Sequence, residues 1–289
     1  KCVDDAVEWL NSSAKSLKHP WALVVNISNP HFPHFSSQEL WDMYPDGGDL
    51  SEYGPDLESG RHPYAEALKE HFQTEKFTEE QMRGLRRGYL ACITFVDRQL
   101  GRLMGALESA GLKDTTNIAY TSDHGEMLGK FGMWWKCSLY EDSVRVPMIA
   151  AGPEFLSGKR ISTPVDLHDL RAGIFEATGA RQPNGFLGSP LQSTKDKDEE
   201  KVVFSEYHGH GTPGSSYMVR RGRWKYLWHS GAPPQLFDLK CDPEELANLV
   251  GQKMEITEDM EAELRKICSP EFEHDRAERF IEEQLKLID

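Results

Sequence analysis

The chain opens on a helical stripe. Val3, Val7, Leu10, Ala14 and Leu17 recur every three or four residues, and Pro20 ends the run. Trp21-Ala-Leu-Val-Val-Asn-Ile27 follows as a short continuous apolar run, the pattern of a buried strand. Two prolines in Asn29-Pro-His-Phe-Pro-His34 forbid regular structure there. Residues 36–76, rich in Gly, Pro, Ser and charge, read as a long surface loop with short helices. Thr78-Glu-Glu-Gln81 is a capping box. After it, Met82, Leu85, Tyr89, Ile93, Val96, Leu100, Leu103 and Leu107 step by three and four until Gly111, the longest helix in the pattern.

Two more short strands are expected at Asn117–Thr121 and Val146–Ala151, and Leu167, Leu170, Ile174 and Ala177 mark a helix stopped by Gly179. Strands alternating with helices predict an α/β fold with a helix-covered, mainly parallel sheet. Residues 181–200 change character, ending in Lys-Asp-Lys-Asp-Glu-Glu, and read as a linker. Beyond it, Val202–Tyr207, Tyr217–Arg220, Lys225–Trp228 and Gln235–Asp238 are closely spaced short strands with Gly and Pro turns, hence a small antiparallel sheet. Two terminal helices follow, the last starting at Ser269-Pro-Glu271. The expected division is an α/β core over 1–190 and a C-terminal subdomain over 201–289.

Composition narrows the function classes. The 289 residues carry a formal net charge of −14, which argues against nucleic acid as a partner because no surplus cation meets phosphate. No apolar run approaches the roughly 20 residues a membrane-spanning helix needs. The five cysteines, Cys2, Cys92, Cys137, Cys241 and Cys268, are widely spaced with no Cys-x-x-Cys. They read as free thiols of a reduced compartment, a slight lean toward the cytoplasm. The first residue is Lys1, not Met, and the chain reads as part of a longer protein.

Ligands of open parallel sheets bind beyond the carboxyl ends of strands. Asp123 and His124 follow one expected strand, and His31 follows another. A carboxylate and an imidazole are both metal-ligand types, and Ser122 and Gly125 suit a tight turn that aims them together. Lys136, twelve residues on, could complement an anion. By residue type alone, the Asp–His pair serves equally as a hydrogen-bonded structural pair, Lys136 as a surface lysine and His31 as a turn cap. His208 and His210, two apart on a strand, would share a face, either at the rim of a site or in solvent, with zinc a lesser reading. Trp134 and Trp135 could line a substrate pocket or wall the core, and with Tyr217 they could form an aromatic cage for a quaternary ammonium.

Longer motifs add a resemblance. Thr121-Ser-Asp-His-Gly-Glu-Met-Leu-Gly129 and Gly132-Met-Trp-Trp-Lys-Cys-Ser-Leu-Tyr-Glu-Asp-Ser-Val-Arg-Val-Pro-Met-Ile149 resemble the second signature block of the sulfatases, in the alkaline phosphatase superfamily. Asn29-Pro-His-Phe-Pro33 resembles the family's His-Pro loop, and Phe95-Val-Asp-Arg-Gln-Leu-Gly101 its long helix. Ser205–His208, Arg220–Tyr226, Pro234–Leu239 and Asp242–Leu249 resemble its C-terminal subdomain, nearest to choline-sulfatase-like members.

The resemblance implies a sulfuric ester hydrolase acting on a small-molecule or carbohydrate sulfate ester. Phosphatase or phosphonate and phosphodiester hydrolase chemistry of the same superfamily, or an inactive relative, is the alternative. It implies a divalent cation, usually calcium, with Asp123 and His124 among four ligands; histidine at the second position widens the choice to manganese or zinc. It makes Lys136 and His31 the sulfate-contacting pair; His208, Trp134 and Trp135 are substrate-binding candidates by residue type and position. The family nucleophile is a formylglycine made from Cys-x-Pro-x-Arg, a context none of the five cysteines has. The family's early Asp-Asp pair is also not matched, since Asp4-Asp5 falls in a helix. The expectation is therefore a sulfatase core incomplete at its N-terminus, inactive and weak in metal binding by itself, with the nucleophile upstream.

Overall fold

The computed structural model describes residues 1–46, 48–209, 211–212 and 214–287. Helix α1 (Cys2–Ser12) lays Leu10, with Ala14 just beyond it, against Ala106 and Leu107 near the end of a much longer helix. The next expected element does not form. Residues 21–27 make no strand, find no ladder partner among the described residues, and leave Val24 72% exposed. An apolar run becomes a strand only when neighbours accept its backbone hydrogen bonds, so the pattern alone misleads here.

Short helix α2 (Gln38–Asp42) and helix α3 (Pro63–Phe72) occupy the region expected as surface loop. Pro63 sits at the first helical position, where its missing N–H leaves nothing unpaired. Surface loop is the wrong description of α3: Tyr64, Ala65 and Leu68 belong to the main core with Met127, Phe131, Leu139 and Tyr140. Helix α4 (Glu79–Ser109) starts at the expected capping box, Thr78 Oγ1 accepting from Gln81 N and Gln81 Oε1 from Thr78 N.

Strand β1 (Ile118–Thr121) and strand β2 (Met148–Ala151) flank the four-residue helix α5 (Glu141–Val144). They pair antiparallel, Ile118 opposite Ala151 and Thr121 opposite Met148. The expected parallel pairing is not found among the described residues, where both sheets are antiparallel. A parallel return needs a crossover, usually a full helix. The 26 residues between β1 and β2 are spent instead on the loop that carries Asp123, His124 and Lys136.

Helix α6 (Leu167–Thr178) ends at Gly179 in the left-handed conformation, as its sequence indicates. Strands β3 (Val202–Tyr207), β4 (Ser216–Arg221), β5 (Trp224–His229) and β6 (Gln235–Asp238) form an antiparallel meander in sequence order. Period-two alternation splits its side chains. Met218, Leu227 and Phe237 enter the core beneath the 127–140 loop, while Tyr217, Val219, Tyr226 and Leu236 meet Met260 and Leu264 of helix α7 (Met254–Ile267). Helix α8 (Pro270–Leu285) is the last described helix. No described helix is long and apolar enough to cross a membrane.

Candidate functional site

The His31 loop is fastened to α4 by three contacts. His34 Nδ1 donates to Leu85 O at 3.1 Å, Cys92 Sγ donates to Phe35 O at 3.3 Å, and Asn29 Nδ2 donates to Cys92 Sγ at 3.2 Å. The approach depends on Gly88, where a Cβ would lie 2.5 Å from the His34 carbonyl oxygen. Within the loop, His31 Nδ1 donates to the Phe32 carbonyl at 2.6 Å. That leaves Nε2 as the ring's acceptor, and it takes a hydrogen bond from Lys136 Nζ. The same ammonium lies 4.7 Å over the Phe32 ring.

Lys136 reaches that position through a hairpin-like loop after β1. Met127 N donates to Trp135 O and Gly129 N to Met133 O, both at 2.9 Å. Glu126 Oε1 accepts the N–H of Trp135 at 2.6 Å and of Leu128 at 3.3 Å. Leu128 and Trp135 both have positive φ, 48° and 71°. The Lys136 carbonyl accepts from Ser143 Oγ at 2.5 Å. Burial pushes the Glu126 carboxyl up to about 6, although the Trp135 and Leu128 amides and the Lys136 charge pull the other way.

Asp123 and His124 sit on the turn that leaves β1. Ser122 Oγ donates to His124 O at 2.8 Å, and Gly125 N donates to Ser143 O at 2.7 Å. His124 Nδ1 donates to Gly125 O at 2.9 Å, so its Nε2 carries the lone pair, and that atom faces Asp123 Oδ2 at 3.7 Å. Two acceptors turned toward one another are what a shared cation satisfies. The pair offers one hard oxygen and one imidazole nitrogen, a fit to part of a divalent cation's shell. Among the described residues, no group of three or more His, Cys, Asp and Glu converges to complete it. Asp4 is held elsewhere, 2.5 Å from Arg102 of α4.

The structure therefore brings four of the expected site residues together. The His31 and His124 rings meet edge to face at 5.9 Å, with Lys136 on the far nitrogen of His31 and the Asp123 carboxylate 82% exposed beside His124. Trp135 packs on Phe32 at 4.4 Å. Trp134 is buried beneath, against Phe77. His208 is not drawn into this cluster: its Nδ1 and Nε2 meet Ser215 at 2.7 Å and Glu206 at 3.2 Å. His210, its expected companion, lies outside the described residues. The aromatic cage is contradicted. Tyr217 is fully buried between Phe204, His208 and Trp228, because its strand position faces α7.

Three features escaped the sequence reading. Glu126 is the only charged residue in Gly125-Glu-Met-Leu-Gly129, which is the signal that could have singled it out. It lines a cavity of about 270 Å³ with Tyr53, Arg86, Lys130, Asp142 and Glu244 among others. Lys130, almost wholly buried, spans Asp142 and Glu244 at 2.7 Å each. Lys225, fully buried, meets Glu245 at 2.7 Å and Glu141 at 2.9 Å. Nothing in the alternation of β5 distinguishes this lysine from an exposed one.

Comparison with known proteins gives the family of the chain. The family model described as Sulfatase matches residues 1–180, and that of the N-sulphoglucosamine sulphohydrolase C-terminal region matches residues 129–269. Arylsulfatase K of Bos taurus is 32% identical over 296 residues, covering 93% of this chain and 55% of its own length. Choline-sulfatase of Rhizobium meliloti (strain 1021) is 34% identical over 241 residues, covering 80% and 46%. The chain thus spans about half the length of the curated relatives it matches. A structure solved with its substrate D-glucosamine-2-N,6-O-disulfate superposes with a TM-score of 0.78 at 18% identity, over 92% of this chain and 68% of that one, which establishes likeness of fold. On the length of these matches and the motifs they contain, the chain belongs to the sulfatase family, with its alkaline-phosphatase-like fold.

Proposed function

We propose that the protein hydrolyses sulfuric esters, with Lys136 and His31 handling the sulfate group. The observation that carries the reading is the Lys136–His31 contact beside His124, at the end of β1, in a chain of this family. Lys136 Nζ retains two N–H bonds beyond the one engaged by His31. Turned on a tetrahedral anion, they bind its outer oxygens and offset the charge that grows as the ester S–O bond breaks. Once Lys136 turns to the anion, the freed His31 Nε2 can take up a proton from solvent and deliver it to the departing alcohol oxygen, leaving the ammonium charged. Phe32 and Trp135 cover one side of the ammonium and keep its position narrow.

Asp123 Oδ2 and His124 Nε2 would hold a divalent cation, calcium by family resemblance, with manganese or zinc admitted by the imidazole. When bound, that ion supplies Lewis-acid polarisation of the sulfate oxygens. The attacking formylglycine implied by the family has no source context among the five cysteines, so these residues account for binding and departure, not attack. The substrate class is a small-molecule or carbohydrate sulfate ester. The core over 1–190 would carry the site and the subdomain over 201–289 would buttress it.

The test offers an aryl sulfate, choline sulfate and a glucosamine sulfate to the full-length protein beside a phosphonate monoester. Sulfate release should dominate, and Lys136→Ala should lower kcat about 100-fold. Faster phosphonate turnover would transfer the site to phosphonate hydrolysis, the reading that an imidazole at His124 favours. Undiminished activity in Lys136→Ala would remove the lysine from the mechanism.

A further inference from the structure

We propose that Glu126 is a positioning residue for Lys136: a single carboxylate oxygen that holds the left-handed turns of the 126–136 hairpin and so sets where the ammonium meets His31. The inference rests on the sulfate-handling role proposed for Lys136 and deepens it. Glu126 Oε1 accepts the N–H of Leu128 and of Trp135, and these are two of the non-glycine residues with positive φ. Such backbone is disfavoured for side chains of this size and persists only where surrounding contacts overdetermine it. Trp135 directly precedes Lys136, so a rotation at Trp135 swings the Lys136 side chain away from His31.

The rest of the hairpin is fixed independently. Glu126 N donates to Asp142 O at 2.8 Å, and the Lys136 carbonyl accepts from Ser143 Oγ. Both ends are thus tied to the segment around α5; between them, beside the backbone bonds Met127 N–Trp135 O and Gly129 N–Met133 O, the Glu126 carboxylate is the side chain that holds the Leu128 and Trp135 amides. Its negative charge also acts on Lys136 through space. A residue that only filled space would tolerate loss of its oxygen, whereas a positioning residue depends on that oxygen and less on its charge.

Two measurements test this. In the first, kcat and KM for an aryl sulfate are compared among full-length wild type, Glu126→Ala, Glu126→Gln and Lys136→Ala, with circular dichroism as the folding check. Glu126→Ala should lose kcat by about 100-fold with KM little changed, as a displacement of roughly 1 Å does. Glu126→Gln keeps an acceptor oxygen and should recover most of the rate. In the Lys136→Ala background, Glu126→Ala should add little, because the residues act as one unit. Additive losses, or a folded Glu126→Ala with wild-type kcat, would overturn the proposal.

The second measurement needs no turnover. Lys136 acylation by an N-hydroxysuccinimide ester, followed by peptide mass spectrometry, should quicken about tenfold in Glu126→Ala and stay near wild type in Glu126→Gln, a loss of the protection that ordered contacts give. Equal labelling in all three would overturn the proposal. Should Glu126→Ala fail to fold, Glu126→Asp replaces it, since its shorter side chain keeps the charge but withdraws from the Trp135 amide. Absence of sulfate-ester turnover in wild type would defeat the functional reading, while the labelling comparison still decides the role of Glu126.

Discussion

Gly125 and Asp142 stand so close that a Cβ on Gly125 would lie 2.0 Å from the Asp142 carbonyl oxygen. The same contact brings Glu126 N and Asp142 O to 2.8 Å and anchors the turn bearing Asp123 and His124. Gly125→Ala must therefore push two backbone segments apart. The expected destabilisation is about 3 kcal/mol, the upper range for overpacking. Chemical denaturation should register it as a lower midpoint, and cation affinity should fall with it because His124 moves.

Helix α4 offers an internal control. Gly88 abuts the His34 carbonyl, whereas a Cβ on Gly84, one turn earlier, would meet nothing within 4 Å. Gly84→Ala should stabilise the protein by about 0.5–1 kcal/mol through helix propensity. Gly88→Ala should destabilise it and lower activity by displacing the His31 loop. Thermal melts of the two variants, moving in opposite directions, would check the assignment; parallel shifts would refute it.

Lys225 and Glu245 are both fully buried, with Glu141 as the second carboxylate on the ammonium. Burial pushes the Glu245 carboxyl up and Glu141 adds to this, while Lys225 opposes both. Lys225→Met leaves Glu245 without its cation and Glu141 with Arg220 at 3.7 Å, and should cost about 3–5 kcal/mol at neutral pH. Taking up a proton relieves the repulsion, so the deficit should shrink toward acid pH. Urea denaturation of both proteins at several pH values reads this, and a pH-independent deficit would contradict it.

His229 lies between Ser216, at 2.9 Å from Nδ1, and Gln235, at 3.2 Å from Nε2, and stacks on Tyr64. Burial, reinforced by neighbouring His62, pushes its pKa from 6.5 down to about 3. The unfolded chain binds a proton at this ring below about pH 6.5, and the folded protein does not. The stability due to the neutral ring is therefore present above pH 6.5 and declines as pH falls toward 3, with a slope approaching 1.4 kcal/mol per pH unit. His229→Gln should flatten the acid limb of the stability curve by a comparable amount; an unchanged slope would exclude this ring as its source.

Local patterns in the chain were enough to place α4, because Thr78 and Gln81 announce its start and apolar residues repeat along one side. The meander β3–β6 was equally legible, since Tyr217, Met218 and Val219 alternate between two cores. Asp123, His124, Lys136 and His31 were visible as residue types after expected strands, and the structure gathers them. What escaped depends on contacts distant in sequence. Trp21–Ile27 has the composition of a strand but no ladder partner among the described residues. Tyr64 and Leu68 are core only because a loop seventy residues later packs over them. Glu126 matters through two amides bent into left-handed turns, and Lys225 through carboxylates from two other segments, and neither leaves a periodic trace.

Lys130 grips Asp142 on one side and Glu244 on the other. Asp142 belongs to the segment that fastens the turn bearing Asp123 and His124, and Glu244 follows the last strand of the meander. With Lys225 of β5 on Glu141, two buried ammoniums thus tie the meander to the ground on which His124 stands. Heating that loosens the C-terminal sheet should blur the position of Lys136 before the long helix α4 begins to melt.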